Sequence, residues 1–409
     1  GYSLAFASTM LAGGRLADRY GRLTVFRVGL FGLLIGALGA GLAPSPLILV
    51  FARAIQGMFG ALTVPSSLAL VLPQFPQTKQ ASVIGIWAAA GMVASGLSPG
   101  FAALVLEVSS WRWVYLILVP IVALGLIGAK LYLEETAGAK ADSQLDLLGV
   151  LMGSASVFLV VLGTLQGRSW GWLSPYTVAC FAGTTLLLPL FLIRSSKHPE
   201  PLFDPGLFRI RSFTISNVAV TFAMVGAFTS WFLWPLFLTE VWEYSKAKVG
   251  LAFTPSPVLS AVVAVLGGRW ADRRGFRGIM ALAALIATVG FLWLYFFLDE
   301  EVQFWFAFFP SSVMFGFGMG VLASQLNSAA LRDIPPESTA TANGIHQSLR
   351  YAVGGMGAAT AITVLNGTHE VQRYSVMWLL LGILMFLVAP LMWFLYPKEP
   401  NAVRNQRRQ

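Results

Sequence analysis

The sequence predicts an all-α membrane protein of about thirteen spanning helices, organised as a duplicated half. Three observations predict it. Hydrophobic residues make up 56% of the 409 positions and charged ones only 11%, where soluble domains devote about a quarter to charge. Apolar runs of the ~20 residues needed to cross a bilayer recur from end to end. One polar stretch is present twice: Gly14-Arg15-Leu16-Ala17-Asp18-Arg19-Tyr20-Gly21-Arg22 returns as Gly268-Arg269-Trp270-Ala271-Asp272-Arg273-Arg274-Gly275, with Gly, Ala-Asp-Arg and Gly at one spacing.

In order, the runs are 1–18, 23–43, 46–72, 80–106, 113–133, 146–166, 174–194, 212–238, 248–269, 278–298, 303–331, 339–365 and 374–396. Each copy of the repeated stretch joins two runs, so each reads as a tight polar turn. Gly14 lets helices approach closely, and Gly21 permits a turn that a bulkier residue would strain. Asp18 can face the N-terminus of a neighbouring helix, where its charge suits the dipole. Arg19 and Arg22 hold the turn on the cytoplasmic side. An ordinary basic loop is the plainer reading, but Gly268, Asp272, Arg273 and Gly275 repeat the pattern and argue against it. Trp111-Arg112-Trp113 and Trp170-Gly171-Trp172 mark the outer interface, the depth that indole rings prefer. Pro235, Pro255, Pro257 and Pro310 break or kink their helices. The single cysteine, Cys180, lies in an apolar run, which rules out an intrachain disulfide and predicts a buried thiol.

The net charge of +9 is spread over short turns rather than gathered in one domain, which excludes a nucleic-acid-binding protein. If the first copy of the turn is cytoplasmic, strict alternation puts the second copy and the C-terminal tail there too. Only Arg112, Arg168, Lys246, Lys248 and Arg373 then fall outside, and Arg53 and Arg350 lie within helices. The other twenty of the 27 basic residues are cytoplasmic or at that rim, a strong positive-inside bias. The predicted organisation is a first helix bundle over 1–133, two extra helices with a cytoplasmic linker over 134–211, a second bundle over 212–396 and a basic tail over 397–409.

These stretches resemble the major facilitator superfamily. The nine residues Gly14–Arg22 are similar to that family's signature loop between its second and third helices, and Gly268–Gly275 to the echo in its second half. Two further helices between the halves, 146–166 and 174–194, resemble the fourteen-helix drug:proton antiporter branch. So do Arg53-Ala54-Ile55-Gln56-Gly57-Met58-Phe59-Gly60-Ala61, a fourth-helix motif, and Gly85–Ala103, an antiporter-like run with Gly91, Gly96, Pro99 and Gly100. There Ser98 and Ala102-Ala103 stand in place of usual glycines, keeping small size for close helix packing. The resemblance implies a major facilitator fold: two pseudo-symmetric six-helix bundles plus two inserted helices. It also implies that the family's first helix is missing here, leaving thirteen of fourteen.

An arginine inside an apolar helix costs about 3 kcal/mol or more unless water or a partner meets it. Arg53 is therefore the leading functional candidate, and the resemblance implies a part in proton coupling; a structural Arg bonded to carbonyls is the alternative. Arg350 is the second, unless it snorkels to the rim. All 18 Asp and Glu fall at helix ends or in loops, so Glu107 and Glu240 are the nearest candidates for the carboxylate that coupling needs. The missing first helix is the other place for it. His346 could titrate instead, or sit as a satisfied polar residue between helices. For a substrate cavity the candidates are Gln56, Phe222, Trp231, Trp234, Gln325, Asn327 and Tyr351, aromatic faces with a few neutral hydrogen-bonding groups.

No nucleotide loop, metal-spaced His/Cys cluster or acid-rich diphosphate motif is present in the sequence, so neither an enzyme nor a cofactor is expected. The expectation is a monomeric secondary transporter of the plasma (cytoplasmic) membrane, with its C-terminus cytoplasmic. It would exchange protons for lipophilic drug-like compounds across the lipid bilayer by alternating access, the repeated turns latching one side. Export of an endogenous lipid or secondary metabolite is a second reading, and a non-transporting ligand sensor a third.

Overall fold

The computed structural model of the chain describes residues 2–76, 79–135, 146–198, 203–335, 338–365 and 370–398. The side chains of some helical residues, among them Asp18, Pro99 and Glu107, and the surroundings of Gly96 and Gly100, lie outside the described residues.

Among the described residues there is no strand. The helices are α1 (Tyr2–Tyr20), α2 (Arg22–Gly41), α3 (Pro46–Val71), α4 (Gln80–Val108), α5 (Arg112–Leu116), α6 (Leu118–Tyr132), α7 (Leu147–Trp170) and α8 (Pro175–Lys197). They continue as α9 (Arg211–Glu240), α10 (Lys246–Phe253), α11 (Pro255–Arg274), α12 (Phe276–Phe297), α13 (Phe309–Leu331), α14 (Thr339–Leu365) and α15 (Val371–Pro390). The pairs α5–α6 and α10–α11 each continue one another across a single residue. The second break is set by Pro255, which has no amide hydrogen to extend α10. Among the described residues the fifteen helices thus correspond to the thirteen apolar runs, and ten spans are long and apolar enough to cross a membrane. The chain is a multi-pass membrane protein.

The repeated stretch forms a tight turn, shorter than the gap between runs 1–18 and 23–43 implied. Helix α1 runs on through Tyr20 and α11 through Arg274, leaving one residue each to reverse the chain: Gly21 at φ 93° and Gly275 at φ 82°. A single residue in that left-handed region ends one helix and starts the next, and glycine enters it without a Cβ penalty.

The chain divides into two compact units that do not follow chain order. The first comprises residues 1–74, 105–210 and 334–355, the second 75–104, 211–333 and 356–409. In the first, α3 packs on α1 and α2, α2 on α5 and α6, and α1 on α7, which pairs with α8. In the second, α13 packs on α11, α12 and α9, while α15 covers α12 and α9. Small residues set these distances. A Cβ on Gly57 would lie 2.3 Å from the Tyr2 carbonyl oxygen, and one on Gly320 2.5 Å from that of Ser260. Gly91 is different. A Cβ there meets nothing within 4 Å among the described residues, so the expected packing role passes to Gly85, whose Cβ would stand 2.6 Å from the Ala264 carbonyl oxygen.

The α7–α8 hairpin is clamped at one end. Asp146 caps α7 through the Gly149 amide at 2.8 Å and accepts from Nε of Arg194 at 2.7 Å. Burial pushes this carboxyl up, but the Gly149 amide and the Arg194 guanidinium, with a smaller contribution from His198, outweigh it and hold Asp146 below the usual carboxylate range.

Candidate functional site

In the first unit the glycine turn is locked by a residue the sequence did not single out. Glu135, just beyond α6, accepts from the amides of Leu23 at 3.1 Å and Thr24 at 3.4 Å, closing the N-terminus of α2. Its carboxylate also fills the space beside Gly21, where a Cβ would come within 2.6 Å of it. The amides at a helix start are orphaned and carry positive dipole, which is the environment a carboxylate prefers. Arg22 is turned inward. It is buried and donates to the Ala69 carbonyl at 2.8 Å, while Arg27 donates to that of Ala129 at 2.8 Å. Two guanidiniums thereby hold the C-terminal ends of α3 and α6, the negative poles of those helices. Gly14 is buried and Arg19 half-buried beside the Tyr20 ring.

The second unit keeps the plan and changes the parts. Asp272, 8% exposed, accepts from the Ser82 amide at 3.1 Å and from its hydroxyl, closing the start of α4. Gly268 is buried, and Arg273 is exposed. Phe276 follows Gly275 where Arg22 follows Gly21, and it packs edge-on against Tyr396 at 6.3 Å. The Tyr396 hydroxyl donates to the Ala329 carbonyl at 3.1 Å. Ala329 is third from the end of α13, as Ala69 is of α3. The same carbonyl is held in both halves, by a cation in one and a phenol in the other.

Arg53, on α3, is half-buried. Its guanidinium lies 4.4 Å from the Tyr2 ring centre and 5.3 Å from that of Tyr115, and it donates to the Gln56 amide oxygen. It makes no ion pair among the described residues. Two aromatic faces, worth about 0.5–2 kcal/mol each, and one amide oxygen are enough to offset its cost of about 3 kcal/mol in the bilayer. The carbonyl-bonded alternative is not what the geometry shows. Beside this cradle, Tyr2, Phe6, Met10 and Ala61 form a small core on which Tyr351 of α14 packs, its ring 4.7 Å from that of Phe6. Along α14, Asn343, His346 and Gln347 are buried, and Arg350 follows half-buried.

Trp234, expected to line a cavity, lies in a packed core instead. Trp234 is fully buried, with edge-on contacts to Phe315 at 4.9 Å, Phe308 at 5.3 Å and Phe253 at 6.0 Å. Phe222 packs against the same core, and Trp231 is 36% exposed on the helix exterior. Aromatic rings so enclosed stabilise a fold rather than line a path. Gln325 and Asn327 on α13 are fully buried, and Gln325 donates to Ser324 at 2.9 Å. Glu240 is exposed at the end of α9. Every described carboxylate lies at a helix end or in a connection.

A profile of the Major Facilitator Superfamily matches residues 1–193, 145–358 and 217–409. The chain is 28% identical over 88% of its length to the tetracenomycin C resistance and export protein of Streptomyces glaucescens, and spans 66% of that protein. It is 29% identical over 90% of its length to the puromycin resistance protein of Streptomyces alboniger, spanning 73% of it. Multidrug resistance protein 3 of Bacillus subtilis is 28% identical over 91% of the chain, which spans 72% of it. In fold the chain is similar to the proton:xylose symporter XylE, with a TM-score of 0.67, 15% identity, and 97% and 85% of the two chains covered.

Proposed function

This chain belongs to the Major Facilitator Superfamily, and from that premise we propose that it is a secondary transporter exporting lipophilic, drug-like compounds in exchange for protons. Relatives named for resistance to antibiotics and for export support the direction and the substrate class. The proton gradient supplies the energy, and the 1–133 and 212–396 bundles alternate access to the two sides. The closures of α2 by Glu135 and of α4 by Asp272 latch one conformation.

One observation carries the coupling: Arg53 is held inside α3 by two rings and an amide rather than by an acid. Its charge remains uncompensated and acts on whichever carboxylate carries the proton. Glu107 and Glu240 are the candidates on this chain.

The test is gradient-driven efflux of a lipophilic dye from reconstituted vesicles. Arg53→Ala should abolish the response to an imposed proton gradient while dye binding persists. Efflux that still follows the gradient in that variant removes Arg53 from the coupling. Relatives named as export proteins for tetracenomycin C and for cephamycin favour a second reading, export of an endogenous metabolite.

A further inference from the structure

Arg53 and Arg350 both lie mid-helix in the first unit, and they differ. Arg53 is engaged. Arg350 makes no hydrogen bond or ion pair among the described residues; its guanidinium lies over the neighbouring Tyr351 ring, 5.8 Å from the ring centre. It is the twelfth residue of α14, about 17 Å along that 27-residue helix from Thr339. That depth is far from either end, which removes the rim-seeking reading.

Arg350 is not alone on its face. Asn343 and Gln347 precede it by seven and three residues, the spacing of one helical stripe. Both are buried, 1% and 0% exposed, and all four of their amide polar atoms lack a partner among the described residues. Folded proteins leave few buried amides unmet, and those few ask for a water or a ligand. The stripe therefore offers amide donors, amide acceptors and one uncompensated guanidinium.

We propose that Asn343, Gln347 and Arg350 form a recognition site for the exported compound and that it selects small organic anions over cations. This deepens, and rests on, the reading of the chain as an exporter. A guanidinium presents paired N–H groups to a carboxylate or an ionised phenol, and the two amides meet its remaining oxygens. A cation entering the same stripe meets like charge, and no described carboxylate within a span offsets it.

The experiment uses two xanthene dyes of opposite charge, fluorescein and rhodamine 6G, with the full chain in lipid nanodiscs and binding read by fluorescence anisotropy. Wild type should bind fluorescein saturably and more tightly than rhodamine 6G. Arg350→Gln should weaken fluorescein at least tenfold, Arg350→Lys less, and Asn343→Leu with Gln347→Leu severalfold while the charge is kept. Should Arg350→Gln fail to fold, the Lys variant and the double amide variant decide. Tighter binding of rhodamine 6G, no saturable fluorescein binding, or unchanged fluorescein binding in the folded variants overturns the proposal. Rhodamine 6G efflux from vesicles without fluorescein binding would leave the export reading standing and sink this one. Fluorescein binding without any gradient-driven efflux does the reverse.

Discussion

Asp272 accepts two hydrogen bonds from Ser82, one from the main-chain amide at 3.1 Å and one from the hydroxyl, so the end of α11 closes the start of α4. The amide bond survives an isosteric amide side chain, but the charge facing the helix dipole does not; that charge is worth roughly 0.3–1 kcal/mol. Asp272→Asn should insert into the membrane normally and transport severalfold more slowly, measured as initial efflux rate per inserted protein. A wild-type rate would separate this contact from the conformational cycle.

Gly21 and Gly171 share nearly the same backbone, φ 93° and 92°, but not the same surroundings. Beside Gly21 a Cβ meets the Glu135 carboxylate at 2.6 Å; beside Gly171 the nearest atom is 3.9 Å away. Backbone strain alone costs of order 1–3 kcal/mol. Gly21→Ala should therefore lower the thermal unfolding midpoint more than Gly171→Ala, and Glu135→Ala should recover part of the difference.

The Asp146 clamp predicts a pH dependence. Its folded-state value lies below the unfolded one of ~3.9, so its contribution is present above that pH and is lost as pH falls through the folded value. The gap in unfolding midpoint between wild type and Asp146→Asn should be full at pH 6 and narrow toward pH 3. A gap that widens on acidification would contradict the sign.

Gly57 and Gly91 both sit inside helices where the sequence suggests a close-packing role. Gly57→Ala would drive a Cβ into the Tyr2 carbonyl oxygen and force α1 away from α3; Gly91→Ala has open space. Folded yield in detergent, read by size-exclusion chromatography, should drop for the first and hold for the second.

What the sequence disclosed is what depends on local pattern. The thirteen apolar runs became helices, ten of them described spans long and apolar enough to cross a membrane, because length and hydropathy belong to each segment alone. Gly21 and Gly275 were legible because a repeated glycine at a helix junction has few other uses. Glu135 was not, since its partners Leu23 and Thr24 lie more than a hundred residues earlier and a carboxylate after an apolar run reads as ordinary loop. Trp234 misled for a related reason. An aromatic residue on a membrane helix looks the same whether it faces a cavity or, as here, Phe308 and Phe315. The stripe on α14 was half visible: His346 and Arg350 stood out, but only coordinates reveal that the Asn343 and Gln347 amides go unmet among the described residues.

The Ala69 carbonyl is held by Arg22 and the Ala329 carbonyl by Tyr396. The two repeats are therefore not interchangeable parts. Grafting residues 14–22 over 268–276 would press a guanidinium into the place where Phe276 meets a phenol ring. The reciprocal graft would strip Ala69 of its only cation. Each copy of the glycine turn is fitted to its own half.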